Sequence, residues 1–334
     1  MKADPLLGAL EEVEHTHSSG LGLRRLVAAG LDRLPLPGSG QTLSRWRVLA
    51  EVSALDLSLA KLFEGHTDAL AILTELQGPD PEAGSLWGTW CAEPPDARLA
   101  IDRGTSGRVR LRGRKAWCSG AAELSHALVS GWNCDGHPWL AAVALRQPGV
   151  TVTCEGWAAV GMAEGGSGDV VFDAAEAAAV GAPGDYLRRP GFWQGGAGIA
   201  ACWFGGAAGM ARALRGRCTA SSDPHRLAHL GDVDAALSAA AALLRETAKW
   251  IDEHPARNAQ AAAMRVRLAV EEAAQAVLAH AGKALGAGPL CRDAQLARAV
   301  ADLPIYLRQS HAQRDLEGLG RLLVEEEEER AWTL

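Results

Sequence analysis

Apolar positions recur at spacings of three and four across 18–34 and again across 42–76. That period gives each segment one apolar face and predicts helices. Between them, 32–40 contains Pro35, Pro37, Gly38 and Gly40 and reads as a loop, and Gly78, Pro79 and Pro81 close the helical block. His66 falls within the second helical segment, where a packed or surface side chain is expected rather than a ligand.

Beyond residue 84 the period changes. Short apolar runs at 98–103, 108–120, 126–132, 138–145, 150–157 and 168–174 are separated by Gly, Asp, Asn and Pro at intervals of about ten residues. This pattern predicts an antiparallel sandwich or barrel. Six of the eleven tryptophans lie between Trp87 and Trp157, so aromatic packing is expected to concentrate there. From residue 186 the helical period returns in four long Ala/Leu/Arg-rich segments, 191–217, 225–254, 258–285 and 294–323. Pro224, Pro255 and Pro289 fall at or near the breaks, where proline is tolerated. The expected fold is therefore multidomain α+β: an N-terminal helical domain (1–84), a central antiparallel β-barrel or sandwich domain (85–185) and a C-terminal four-helix bundle (186–334). The acidic run 325–329 reads as a solvated tail.

Composition narrows the functional classes. A net charge of −7 and a pI near 5.8 offer no basic excess for a nucleic-acid surface. No run of about 18 apolar residues appears, so no membrane span is expected. Residues 1–17 carry acids where a signal peptide has an apolar stretch, and a cytoplasmic location is expected. The seven cysteines are an odd number placed singly, with no Cys-x-x-Cys pair, and are read as small buried hydrophobes. No metal site is expected.

The chemistry concentrates in 112–120, Arg-Gly-Arg-Lys-Ala-Trp-Cys-Ser-Gly. In an extended strand Lys115, Trp117 and Ser119 would share one face and Ala116 and Cys118 the other. That face would present an indole and a hydroxyl, suited to stacking a flat ring with a polar edge. The plainer alternative is a half-buried strand whose Trp belongs to the core.

The order helices, β domain, helical bundle, together with segments 29–40, 51–66, 112–131, 160–176 and 213–237, resembles the acyl-CoA dehydrogenase superfamily over nearly the whole chain. The resemblance implies FAD as cofactor, with Trp117 stacked on the flavin and Ser119 hydrogen-bonding near its N5 edge. It implies that Glu93 survives from the segment that opens the family's β domain. Arg217 would meet the pyrophosphate or adenine half of a dinucleotide from a neighbouring subunit, and Gly286 and Gly288 would form a turn close to the cofactor. A homodimer or homotetramer, a small-molecule substrate such as an acyl-CoA, and a flavin reductase or electron-transfer partner follow from the same likeness.

The chain also departs from the family pattern. Residues 90–96 keep little but Glu93 of the family's flavin-holding segment, 218–223 differ from its Arg loop, and His229 stands near its usual Gln. The catalytic carboxylate is missing: Ser310, or His311 by a shift of one, occupies its place, and the second family location falls at Ile199 and Ala200. Three readings remain. The first is an acyl-CoA dehydrogenase-like flavin oxidoreductase using His311 or Ser310. The second is a two-component flavin-dependent monooxygenase on the same fold, and the third a non-catalytic scaffold. Gly165 to Gly168 precede a strand and lack the geometry of a phosphate loop. Asp169 and Asp173 read as turn residues, His15 and His17 as uninvolved, and no Gly-x-Ser-x-Gly elbow is present.

Overall fold

A computed structural model describes residues 8, 10, 13, 18–104, 107–153 and 155–325. His15, His17, Cys154 and the tail residues 326–329 lie outside the described residues.

The first helical segment is α1 (Ser19–Ala28), capped by the Ser18 hydroxyl, which accepts from the Leu21 amide at 3.4 Å. Gly30, at φ +71°, turns the chain out of it. The expected single helix over 42–76 is two, α2 (Thr42–Leu55) and α3 (Leu57–Glu75). Asp56 breaks it: its backbone is extended, and its carboxylate accepts from the Leu59 amide at 2.7 Å as the N-cap of α3.

Seven strands follow: β1 (Trp87–Trp90), β2 (Leu99–Arg103), β3 (Arg108–Cys118), β4 (His126–Trp132), β5 (Pro138–Ala144), β6 (Val150–Val152) and β7 (Gly168–Val180). The circuit β4–β2–β3–β7–β5 returns to β4 and closes a five-stranded barrel. β1 adds to β4, and β6 to β7. The expected all-antiparallel pattern holds except where β4 runs parallel to β1 and meets β2 in parallel at Ala100 and Trp132.

The later helices are α4 (Asp185–Arg188), α5 (Gly191–Arg215), α6 (Pro224–Glu253), α7 (Gln260–Leu285), α8 (Ala287–Arg292), α9 (Ala294–Tyr306) and α10 (Gln313–Glu325). The expected fourth long helix is thus split. Pro304 removes an amide from the ladder, a 3₁₀ turn occupies Leu307–Gln309, and Ala312 is left-handed at φ +47°. Gly205 and Gly209 let α5 cross α2 closely: a Cβ on either would lie 2.1 Å or 2.6 Å from the Ala50 or Ala54 carbonyl oxygen. α6 is long and apolar enough by length and composition to cross a membrane, contrary to expectation, and its Val233, Ala240, Leu244 and Ile251 are buried within the protein.

One apolar core runs through all three regions, joining Phe63 of α3, Leu111 and Phe172 of the barrel, Trp203 of α5 and Leu303 of α9. α3 supplies much of the bridge through buried Leu59, Leu62 and Phe63, each worth roughly 1.5–3 kcal/mol on burial, while its Ile72 and Leu73 pack in a second buried cluster with Trp87, Leu128 and Leu140. His66, 1% exposed, ties α3 to β1: its Nδ1 accepts from the Trp87 amide at 3.1 Å, which leaves Nε2 to donate to Asp32 at 3.3 Å. Of the cysteines read as buried hydrophobes, Cys118 and Cys202 are buried, whereas Cys134 and Cys291 are exposed.

Candidate functional site

The stretch 112–120 does not keep the strand alternation that its sequence suggests. A register shift separates Lys115 from Cys118 along the pairing with β7, and Trp117 within it takes φ +58°. A bulky residue in the left-handed region costs about 1–2 kcal/mol and persists only where its surroundings impose it. The bulge separates the two side chains expected on one face: Lys115 is fully buried and Trp117 is 51% exposed.

Lys115 and Glu93 account for one side of the bulge. All three ammonium protons of Lys115 are used, on Glu93, on the Ser130 carbonyl at 2.8 Å and on the Ser130 hydroxyl at 2.9 Å. The Ser130 hydroxyl donates to Glu93 in turn, and the Trp132 indole donates to the other Glu93 oxygen at 3.1 Å. Glu93, expected as a cofactor residue, therefore serves as the counter-ion of a buried lysine. Its neighbour Arg114 is held by Asp169 and by Asp96 at 2.7 Å, and the guanidinium keeps the Asp96 carboxyl below the usual carboxylate range. Asp169 and Asp173, expected in turns, both lie in β7, where Asp173 faces Arg112 at 3.5 Å.

On the other side of the bulge the chain is tied to the turn before β7. The Ser119 and Ser167 hydroxyls are 3.0 Å apart, the Gly120 amide donates to the Gly165 carbonyl at 2.8 Å, and the Trp90 indole donates to the Ser119 carbonyl at 3.1 Å. Asp302 of α9 anchors this turn from behind, accepting from the Met162 amide at 2.5 Å and from Ser58 at 3.5 Å, and burial raises its carboxyl above the ordinary value. The 163–165 turn also contributes Glu164 to a cavity of about 270 Å³, walled elsewhere by Ser18, Asp56, Leu59, Gln295 and Arg298. The result is a ledge that carries a half-exposed indole and, two residues on, a hydroxyl paired with that of Ser167.

The other expected residues have local surroundings of their own. Arg217 pairs with Asp293 at 2.6 Å and also holds the Ala213 carbonyl at 2.8 Å. Gly286 joins α7 to α8 at φ +66° and ψ −171°, a conformation essentially confined to glycine. Gly288 is exposed on α8, with open space around it. Ser310 is buried and its hydroxyl accepts from the Ala312 amide at 3.1 Å. The His311 side chain is 67% exposed, with Nδ1 3.4 Å from Asp315. Among the described contacts, none joins Ser310 or His311 to Trp117 or Ser119. At the second family location Ala200 is buried and Ile199 half-buried in α5.

Sequence reasoning missed Ser167, Ser130, Asp302 and the true role of Lys115. The bulge that defines the ledge has no signature in residue types. Ser167, inside the glycine-rich turn, was the one visible hint.

No family model matches the sequence, and no curated protein matches it. Solved structures share the fold over nearly the whole chain. The complex of TdsC from Paenibacillus sp. A11-2 with FMN and indole superposes with a TM-score of 0.79 at 19% identity, covering 96% of this chain and 98% of that one. KijD3 in complex with FMN and a dTDP-linked amino-keto sugar gives 0.80 at 20%, covering 98% and 94%. Methanesulfinate monooxygenase MsuC from Pseudomonas fluorescens gives 0.77 at 21%, covering 96% and 94%. The architecture is consistent with the acyl-CoA dehydrogenase-like fold that the sequence led us to expect.

Proposed function

We propose that the protein is a flavin-dependent oxidoreductase, with the ring system resting on Trp117 and the Ser119–Ser167 hydroxyl pair at its polar edge. The carrying observation is the indole, 51% exposed and held in left-handed backbone beside those hydroxyls. An exposed aromatic held in strained backbone two residues from a buried, fully bonded lysine fits a binding role better than a packing one. TdsC and KijD3, solved with FMN on the same fold, add support. A bound flavin supplies two-electron transfer; this chain's own residues supply the stacking surface, the edge hydrogen bonds and the rigid strand behind them. The dinucleotide FAD, with Arg217, Gly286 and Gly288 along its length, remains the expected form. Because Arg217 is paired to Asp293, it has to exchange that partner to meet a phosphate.

The reaction on this reading is oxidation of a small molecule such as an acyl thioester, with His311 or Ser310 near the substrate. A specific observation supports equally well the alternative, a two-component monooxygenase supplied with reduced flavin by a separate reductase. The residues where a carboxylate base is needed are a hydroxyl that already accepts from the backbone and an imidazole that faces Asp315 and solvent. We further propose the division into 1–84, 85–185 and 186–334, and a homodimer or homotetramer.

Reconstitution tests the reading. The purified protein, incubated with FAD or FMN and gel-filtered, should retain flavin absorbance. Anaerobic bleaching by an acyl-CoA would support the dehydrogenase, and substrate-dependent oxygen uptake with supplied reduced flavin the monooxygenase. Protein that retains neither flavin and leaves the oxidation of reduced flavin by oxygen at its protein-free rate would leave the non-catalytic scaffold as the better account.

A further inference from the structure

Three side chains converge on the bundle away from the ledge. α6 carries His229 and Asp232, one turn apart and so on one face of the helix. α7 runs antiparallel beside it, with Arg226 Nε donating to the Ala284 carbonyl at 3.1 Å, and brings His280 opposite that face. His229 Nδ1 and His280 Nδ1 are 3.0 Å apart, and His280 Nδ1 is 3.2 Å from an Asp232 carboxylate oxygen. All three donor atoms lie within 4.8 Å of one another.

That spacing has a chemical meaning. A tetrahedral zinc ion bonded to imidazole nitrogen and carboxylate oxygen at about 2.0–2.2 Å sets its ligand atoms about 3.3 Å apart. Two of the three edges are already close to that length. Two imidazoles and one carboxylate suit a borderline transition-metal ion rather than magnesium or calcium, which prefer all-oxygen shells. The site opens to solvent, with the His280 side chain 28% and that of Asp232 59% exposed, so an ion can enter and a fourth ligand can reach it.

We propose that His229, Asp232 and His280 form a binding site for a divalent transition-metal ion of the zinc class, clamping α6 to α7. Each nitrogen and the carboxylate give one lone pair to the ion, and the fourth position faces solvent. The sequence conceals the site because His229 and His280 lie 51 residues apart on different helices, and the cysteine count that usually signals zinc says nothing of it. The competing account is a metal-free cluster in which one His280 proton is shared between His229 and Asp232.

The test uses the full chain, stripped with EDTA and dialysed. Calorimetric titration with zinc chloride should give one ion per chain, and cobalt chloride should give the intense visible bands of a tetrahedral ion. His229→Ala and His280→Ala should each weaken zinc binding by more than about tenfold, since even losing a ligand's hydrogen-bonded support costs about 10–100-fold. Zinc should also raise the melting temperature of the wild type and leave that of His229→Ala/His280→Ala unmoved. Melting of the metal-free variants at the wild-type temperature would show that the fold is intact. The chain has ten histidines, so zinc that binds equally well to the double variant goes elsewhere and overturns the proposal. Absence of binding at millimolar zinc overturns it equally and leaves the shared-proton cluster.

Discussion

Replacing Lys115 with methionine removes the ammonium at the centre of the strand-pinning network while keeping most of its volume. The group is fully buried and fills three acceptors, so its loss leaves the Glu93 carboxylate with only the Ser130 hydroxyl and the Trp132 indole. Breaking a buried pair by removing one partner costs about 3–5 kcal/mol. Glu93, whose side chain is 30% exposed, retains some solvent, which puts the estimate near the lower figure, about 3 kcal/mol. Glu93→Gln should cost at least as much, about 3–5 kcal/mol, because it leaves the fully buried Lys115 ammonium without a counter-charge and turns an amide N–H group toward a donor. With both charges gone, Lys115→Met/Glu93→Gln should cost less than the two singles together, with a coupling of about 2 kcal/mol. Urea unfolding followed by far-ultraviolet circular dichroism, with the slope checked for constancy, reads all four proteins. Additive single effects, or a Lys115→Met cost below about 1 kcal/mol, would refute the assignment of Glu93 as a structural counter-ion.

Other expectations follow from the same contacts. His66→Ala should destabilise by about 1–3 kcal/mol in urea melts, because it strands the buried Trp87 amide that His66 Nδ1 accepts from. Gly286→Ala should cost about 1–3 kcal/mol in thermal unfolding without any flavin present, since the strain belongs to the helix junction. For Asp302 the folded carboxyl is raised by burial above its value of 3.8 when free, so the native state holds that proton more tightly than the unfolded chain does. Its contribution is therefore full below 3.8 and lost as pH rises through the raised value; the stability of the wild type relative to Asp302→Asn should fall across that window in urea melts at stepped pH. A constant difference would contradict the burial argument.

Much of the architecture was legible because it rests on period. The change from 3.6 to 2 and back located the helical and stranded regions, and a strand-dense centre with turns every ten residues predicted a closed or layered sheet. Breaks inside the helices were less legible: Asp56 acts as an N-cap in the middle of an unbroken apolar period, and the split at 307–312 depends on Pro304 and a left-handed Ala312. At the site the sequence singled out Trp117 and Ser119 but misplaced Lys115, because alternation assumes an unbroken ladder and the bulge reverses it. Glu93 was chosen by family position, whereas its partners come from β3 and β4, which only the closed barrel brings together. Arg217 and Gly286, assigned to distant parts of a cofactor, also have local roles that only the fold shows, an ion pair with Asp293 and the junction of α7 and α8.

The claim on which the functional account stands is that the Trp117 indole bears a flavin. Titrating oxidised FAD and FMN into wild type and Trp117→Ala, with flavin fluorescence as the readout, tests it most directly. The account expects saturable quenching in the wild type and binding weaker by about 0.5–1.5 kcal/mol or more, roughly 2- to 13-fold, in the variant, with its melting temperature little changed because the indole is half exposed. Equal affinity in the two proteins, or no quenching in either, would contradict it.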